Sequence, residues 1–163
     1  MLLKVKPFRE TPHKCGPASL KMVLNYYGVE KSERELANMC GTKKELGTRA
    51  EGITRAAKTL GFKVLVKDNS SFKDIKKWLD KKVPVIVDWF TRGRNDYTDS
   101  DVADGHYSVA VGLDKKYIYL QDPELGRIRK LAREDFMTVW FDFKGKYLHP
   151  KELVIRQIIV AYQ

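Results

Sequence analysis

The chain has 163 residues, 43% of them hydrophobic, and carries 31 Lys and Arg against 21 Asp and Glu for a formal net charge of +10. That length supports one buried core and is too short for two ordinary domains plus a linker, so a single domain over residues 1–163 is expected. No apolar run approaches the ~20 residues of a membrane span. The start Met1-Leu2-Leu3-Lys4-Val5-Lys6-Pro7 lacks the apolar core and cleavage site of a signal peptide, and two cysteines are no disulfide framework. The expectation is a cytoplasmic protein.

The first predicted helix follows His13-Lys14-Cys15-Gly16. Pro17 suits a first turn, where its missing N–H is not needed, and Leu20, Val23, Leu24 and Tyr27 recur on one face before Gly28 ends it. Cys15 therefore stands at the positive end of a helix dipole with Lys14 beside it, and both features favour thiolate over thiol. A lone cysteine is more often a small buried hydrophobe, so the helix start alone leaves both readings open.

A capping box, Ser32-Glu33-Arg34-Glu35, opens the next helix, which carries Cys40 as a core residue and stops at Gly41. Thr48-Arg49-Ala50-Glu51 reads as another box, leading into an inward stripe of Ile53, Ala56, Ala57 and Leu60. Phe62 to Lys67 reads as a strand and Ser71 starts a helix with Phe72, Ile75, Trp78 and Leu79 inward. Val83-Pro84-Val85-Ile86-Val87 then enters a sheet as a buried strand. Lysines 73, 76, 77, 81 and 82 lie on the polar side around that helix and read as a solvated face. From Thr91 to Gly105 the chain is least regular: Arg92-Gly93-Arg94-Asn95-Asp96 is turn-rich, and Asp99, Asp101 and Asp104 gather acid before His106.

His106 to Leu113 alternates like a strand, Tyr117 to Gln121 reads as its partner, and Asp114-Lys115-Lys116 makes the turn. Register decides what this hairpin can do. A two-residue turn puts Asp122 on the face of Tyr107 and Val109, with His106 pointing away. A three-residue turn or one bulge sets Asp122 opposite Ser108 and diagonal to His106, roughly 7–8 Å at the backbone and within reach of a hydrogen bond. On that face Ser108, Ala110 and Gly112 are small, leaving room for a packed helix, for which the Cys15 helix is the candidate. Beyond Asp122, Arg127 to Leu131 reads as a short strand, Arg133 to Phe141 as a helix and Leu153 to Tyr162 as a terminal strand. Helices first and then mostly antiparallel strands make an α+β fold.

A thiol, an imidazole and a carboxylate in the order Cys15, His106, Asp122 are the parts of a nucleophilic site, in which the nucleophile needs a base and the base an orienting partner. Residues 15–28, Leu36 to Gly41, Gly61-Phe62, Gly105-His106-Tyr107-Ser108-Val109 and Asp122-Pro123 with Gly126 together resemble the double-glycine leader peptidases that process bacteriocin precursors. The resemblance implies a papain-like cysteine peptidase fold, here as a stand-alone domain without the transporter portion. It also implies Cys15 as nucleophile, His106 as general base and Asp122 as its orienting residue. That family carries a Gln about six residues before the Cys as an oxyanion donor, whereas this chain reads Phe8-Arg9-Glu10-Thr11-Pro12-His13-Lys14. Support for the oxyanion then falls to Arg9, Glu10, His13 or Gly16, beside the Cys15 N–H, and an ionised Glu10 cannot donate. Loss of one such donor costs about 10²–10³ in rate, which weakens turnover without abolishing it.

The expected activity is hydrolysis of a peptide bond in a peptide or protein substrate, after a glycine pair if the resemblance extends to specificity. The alternatives are a weak or inactive peptide-binding module of the same fold, or an acyl transferase using the same three residues. No metal or cofactor is expected, since zinc-type cysteine spacing is absent and Asp99-Ser100-Asp101 lacks the later ligands of a calcium loop. The basic residues are not interleaved with aromatic ones, so no nucleic-acid partner is expected.

Overall fold

The computed structural model describes residues 1–44, 46–91 and 105–163, so the turn-rich and acidic stretch from Arg92 to Asp104 lies outside the described residues. Three helices come first: α1 (Cys15–Tyr26), α2 (Glu33–Cys40) and α3 (Ala50–Thr59). α1 begins at Cys15 itself, its stripe of Leu20, Val23 and Leu24 is buried, and the chain leaves it through Gly28 at φ +80°, a conformation that costs glycine little. Ser32 caps α2, accepting the Glu35 N–H at 3.0 Å. Thr48 does not cap α3 as expected. The cap position is Arg49, and the Thr48 hydroxyl instead meets Thr42 Oγ1 at 2.7 Å while its side chain packs on Gly16. A hydroxyl six residues back in the α2–α3 connection has taken the bond that the capping motif would have used.

The remaining elements are β1 (Lys63–Lys67), α4 (Phe72–Asp80), β2 (Val85–Phe90), β3 (Gly105–Leu113), β4 (Tyr117–Asp122), β5 (Arg127–Ala132), α5 (Arg133–Val139), β6 (Phe141–Phe143), β7 (Leu153–Ile155) and β8 (Ile158–Tyr162). Six strands form one sheet in the order β1-β8-β2-β3-β4-β5 with antiparallel ladders, and β6 pairs with β7 apart from it. The fold is α+β, as expected.

Two elements differ from the sequence reading. The terminal strand is two strands, because Arg156 takes φ +47° and turns the chain between a pairing with β6 and an insertion between β1 and β2. Side chains help hold that corner: Arg156 Nε donates to the Ser70 carbonyl at 2.7 Å, and Gln157 Nε2 donates to Asp68 at 2.9 Å. The helix expected to run to Phe141 stops at Val139, freeing Phe141 to stack on Phe90 at 5.0 Å.

The β3–β4 ladder contains the irregularity on which the hairpin geometry turns. Near the turn Gly112 opposes Tyr119, and beyond it Val109 opposes Gln121, the register shifting between Ala110 and Gly112. That one-residue bulge puts Asp122 on the face of His106. α1 packs against β3 as expected, and two of the small residues there have other neighbours. Ser108 Oγ accepts the Trp89 indole N–H at 3.0 Å, and Leu2 fills the space over Gly112.

In β2 and β3 Trp89 pairs with His106 and Asp88 with Tyr107, so the two pairs point to opposite faces. Trp89 packs on Phe136 of α5 at 6.1 Å, and Phe136 lies beside Phe72 of α4. Asp88 and Tyr107, on the other side, line a cleft with Cys15 of α1 and Glu51 of α3. The end of the sheet where β2 and β4 finish and β3 and β5 begin is where these layers meet.

Candidate functional site

Cys15 comes to this end because α1 starts there, His106 because it is the second residue of β3, and Asp122 because it is the last of β4. His106 Nε2 lies 2.7 Å from Asp122 Oδ1, with His106 6% exposed and Asp122 fully buried. Cys15, half-buried, acts on the same ring as a hydrogen-bond partner and by charge. With Nε2 engaged by Asp122, the ring nitrogen left for the sulfur is Nδ1.

Burial alone would lower the pKa of the imidazole, but hydrogen bonding to Asp122 and Cys15 and the charge of both outweigh it, raising His106 to about 10. Asp122 moves the opposite way. Burial would push its carboxyl up, yet the His106 hydrogen bond and charge, the Arg129 guanidinium and the Glu124 N–H hold it below the usual carboxylate range. The Glu124 N–H donates to Oδ1 at 2.9 Å. The second oxygen meets Arg129 Nε at 2.7 Å as an ion pair whose N–H is not aligned for a hydrogen bond.

The four residues named for oxyanion support separate. Glu10 is half-buried within the electrostatic reach of His106 and Asp122, accepting the Lys14 N–H at 3.2 Å and donating its own N–H to the Pro123 carbonyl at 2.8 Å. Burial raises its carboxyl above the ordinary value, an effect partly offset by His106. Arg9 is exposed, with its stem packed against Gly126. His13 is exposed at φ +68° on the cleft lining. Gly16 is buried, and a Cβ there would lie 2.6 Å from the Thr48 Cβ, so the turn of α1 next to Cys15 admits only glycine without a shift.

The cleft beside Cys15 has a volume of about 340 Å³. Asp88 on its lining is 5% exposed, and its carboxyl is pushed well above the ordinary range by burial and by the neighbouring carboxyl of Asp142. Gly105 lies so close to the Asp142 carboxyl that a Cβ would collide with it. Sequence reasoning missed Asp88, Asp142 and Arg129. A single acid interrupting the apolar run Val85-Ile86-Val87-Asp88-Trp89-Phe90 was the signal for the first; nothing local marked the other two.

Among the described residues, His106, Asp122 and Glu124 offer ligand atoms within 4.8 Å of one another, the arrangement nearest to a metal-binding group. Their donors are already engaged with each other and with Arg129, so a divalent cation would have to work against that guanidinium. Cys40 is buried at the end of α2, where burial pushes its thiol up to about 12, a packing residue as the sequence suggests. No helix among the described residues is long and apolar enough to cross a membrane.

The profile of the peptidase C39 family matches residues 8–144. A lactococcin transport/processing ATP-binding protein of Lactococcus lactis is 36% identical over 129 residues, which is 77% of this chain and 16% of that protein. An uncharacterized protein of Methanothermobacter marburgensis is 34% identical, with 78% of this chain and 77% of that one aligned. The chain thus spans about a sixth of the transporter relative's length. Among solved structures, the peptidase domain of Streptococcus ComA superposes with TM-score 0.70 at 26% identity, covering 98% of this chain and 99% of that one. A putative C39-like peptidase from Bacillus anthracis shares the fold at TM-score 0.69 and 17% identity, covering 100% of this chain and 97% of the other.

Proposed function

The chain belongs to the peptidase C39 family, a family of cysteine peptidases, and from that premise we propose that it hydrolyses peptide bonds through Cys15, His106 and Asp122. The observation that carries this reading is the 2.7 Å contact between His106 Nε2 and the buried Asp122, with Cys15 acting on the same ring. Cys15 Sγ attacks the carbonyl carbon, and the C–N bond breaks as His106 passes its proton to the departing amine. Asp122 holds the ring with Nδ1 toward the sulfur. Water, deprotonated by His106, then cleaves the thioester and returns the free enzyme.

The Cys15 N–H at the start of α1 is one oxyanion donor. Glu10, half-buried with its carboxyl raised by burial, is the candidate for the second donor, and it can donate only in its protonated form. Support for leader-type substrates comes from the relatives, named as transport and processing proteins, and from a related double-glycine protease crystallised with a leader peptide. Cleavage after a glycine pair is the specificity we assign on that basis, with peptide or protein as the substrate class.

The test is a digest of a peptide library, including sequences with an internal glycine pair, by wild type and Cys15→Ala side by side. Cleavage after glycine by wild type and its loss in the variant are expected. Equal cleavage by both would overturn the mechanism. The absent Gln favours a second reading, a domain that binds such peptides and turns them over poorly. Rapid alkylation of Cys15 by iodoacetamide near neutral pH, far faster than a free thiol, separates the enzyme from the binding module.

A further inference from the structure

We infer that Arg129 is a positioning residue for the triad: it clamps the far oxygen of Asp122 so that the near oxygen stays on His106. This rests on the triad reading and adds a member to it. Asp122 lies on β4 between two strands. It pairs with Arg127 on β5, so Arg129, two residues along, is its diagonal neighbour on one flank, as His106 on β3 is on the other. The two diagonals use different oxygens: Oδ1 meets His106 Nε2 at 2.7 Å, and Oδ2 meets Arg129 Nε at 2.7 Å.

The guanidinium is itself held. Its carbon sits 5.3 Å from the centre of the Trp89 ring, and the Trp89 ring stands edge-on to His106 at 5.7 Å with an interplanar angle of 70°. Trp89 is fixed by its bond to Ser108 and by Phe136. His106, Asp122, Arg129 and Trp89 therefore close a ring in which each touches the next. A carboxylate with one oxygen unheld can rotate, and rotation here breaks the bond that orients the imidazole. Arg129 is 12% exposed at its side chain, so little water is at hand to replace it.

The charged and titratable groups facing Asp122 are His106 from β3, Arg129 from β5, Glu124 from the following turn and Glu10 from the N-terminal segment. Arg129 is the permanent cation of this set, since His106 loses its charge when it acts as base. Without it the buried carboxyl is more easily protonated and then no longer accepts from the ring.

The experiment compares wild type, Arg129→Met and Arg129→Lys for kcat and KM on a peptide that wild type cleaves, for the pH profile of kcat/KM, and for the pH dependence of Cys15 alkylation. Arg129→Met is expected to lower kcat about 10–100-fold with KM within about twofold, and to move the acid limb of both profiles upward by about one unit. Arg129→Lys keeps the charge without the planar fork and should restore the acid limb more fully than kcat. Should Arg129→Met fail to fold, Arg129→Lys decides: reduced kcat at unchanged KM supports the inference, and wild-type kcat overturns it. A folded Arg129→Met with wild-type kcat and wild-type profiles overturns it as well. Slow, free-thiol-like alkylation of Cys15 in wild type would instead bring down the triad reading, and this inference with it.

Discussion

Two aspartates are buried at the same end of the sheet, Asp122 closing β4 and Asp88 inside β2, and their electrostatic fates are opposite. Asp122 is fully buried yet held below the usual carboxylate range, because His106, Arg129 and a backbone N–H face it. Asp88 is 5% exposed and pushed well above that range, because it faces the Asp142 carboxyl on the other side of the sheet. Burial penalises the charged form of both, and the sign of the neighbours decides the outcome. One acid is held toward its charged form under an imidazole, the other is pushed toward its protonated form on the lining of the cleft.

The largest expected effect comes from removing the charge of the first acid. Asp122→Asn should cut kcat/KM on a cleaved peptide by about 10³-fold or more, since an amide no longer selects the productive tautomer of His106. A loss of less than tenfold would make Asp122 a structural acid like Asp88. Gly105→Ala tests the opposite wall. The new methyl displaces Asp142 beside the first residues of β3, so stability should fall by about 1–3 kcal/mol, and kcat/KM should drop with it because His106 is the next residue. Thermal unfolding and kinetics on the same preparation check both.

Stability against pH sharpens the contrast. The lowered Asp122 contributes stability that is present above the unfolded carboxylate value and lost as pH falls through its lower folded value. His106, raised from 6.5 to about 10, contributes stability fully present below about 6.5 and lost as pH rises toward 10. Asp88, also raised, works in the same direction as His106: its contribution is present below the unfolded value and fades as pH rises through the folded one. Asp88→Asn should therefore raise Tm at neutral and alkaline pH by about 2–4 °C, the shift that about 1 kcal/mol gives a chain of this size, with no gain in acid. An equal gain at all pH values would mean packing, not charge, is responsible. The smallest effect belongs to the second thiol: with Cys40 buried and pushed to about 12, iodoacetamide near neutral pH should place one label per folded chain, on Cys15, and Cys40→Ala should leave labelling unchanged. Mass spectrometry of the labelled peptides reads this directly.

The legible parts of the fold are those written in local chemistry. Pro17 and Gly28 bracket α1, Ser32 caps α2, and the alternation after His106 makes β3, each because a residue and its near neighbours settle the backbone there. Where a partner outside the motif competes, the local pattern misleads. Thr48 looks like a cap but spends its hydroxyl on Thr42, and the terminal apolar run looks like one strand but turns at Arg156, where contacts to Ser70 and Asp68 settle it. Ser108 and Gly112 leave space as expected, and Trp89 and Leu2 take it.

The chain by itself marked the three candidate side chains, the dipole end on which the thiol stands, and the requirement that the hairpin take an odd turn or a bulge for imidazole and acid to share a face. Only the tertiary structure decided that the bulge falls between Ala110 and Gly112, that Arg129 and Trp89 close the ring behind Asp122, and that Glu10 is half-buried where His106 acts on its carboxyl. The reason is one of range. Residue spacing reports on neighbours within a turn or a strand, whereas the charge state of a buried acid depends on groups brought beside it from strands that are remote along the chain.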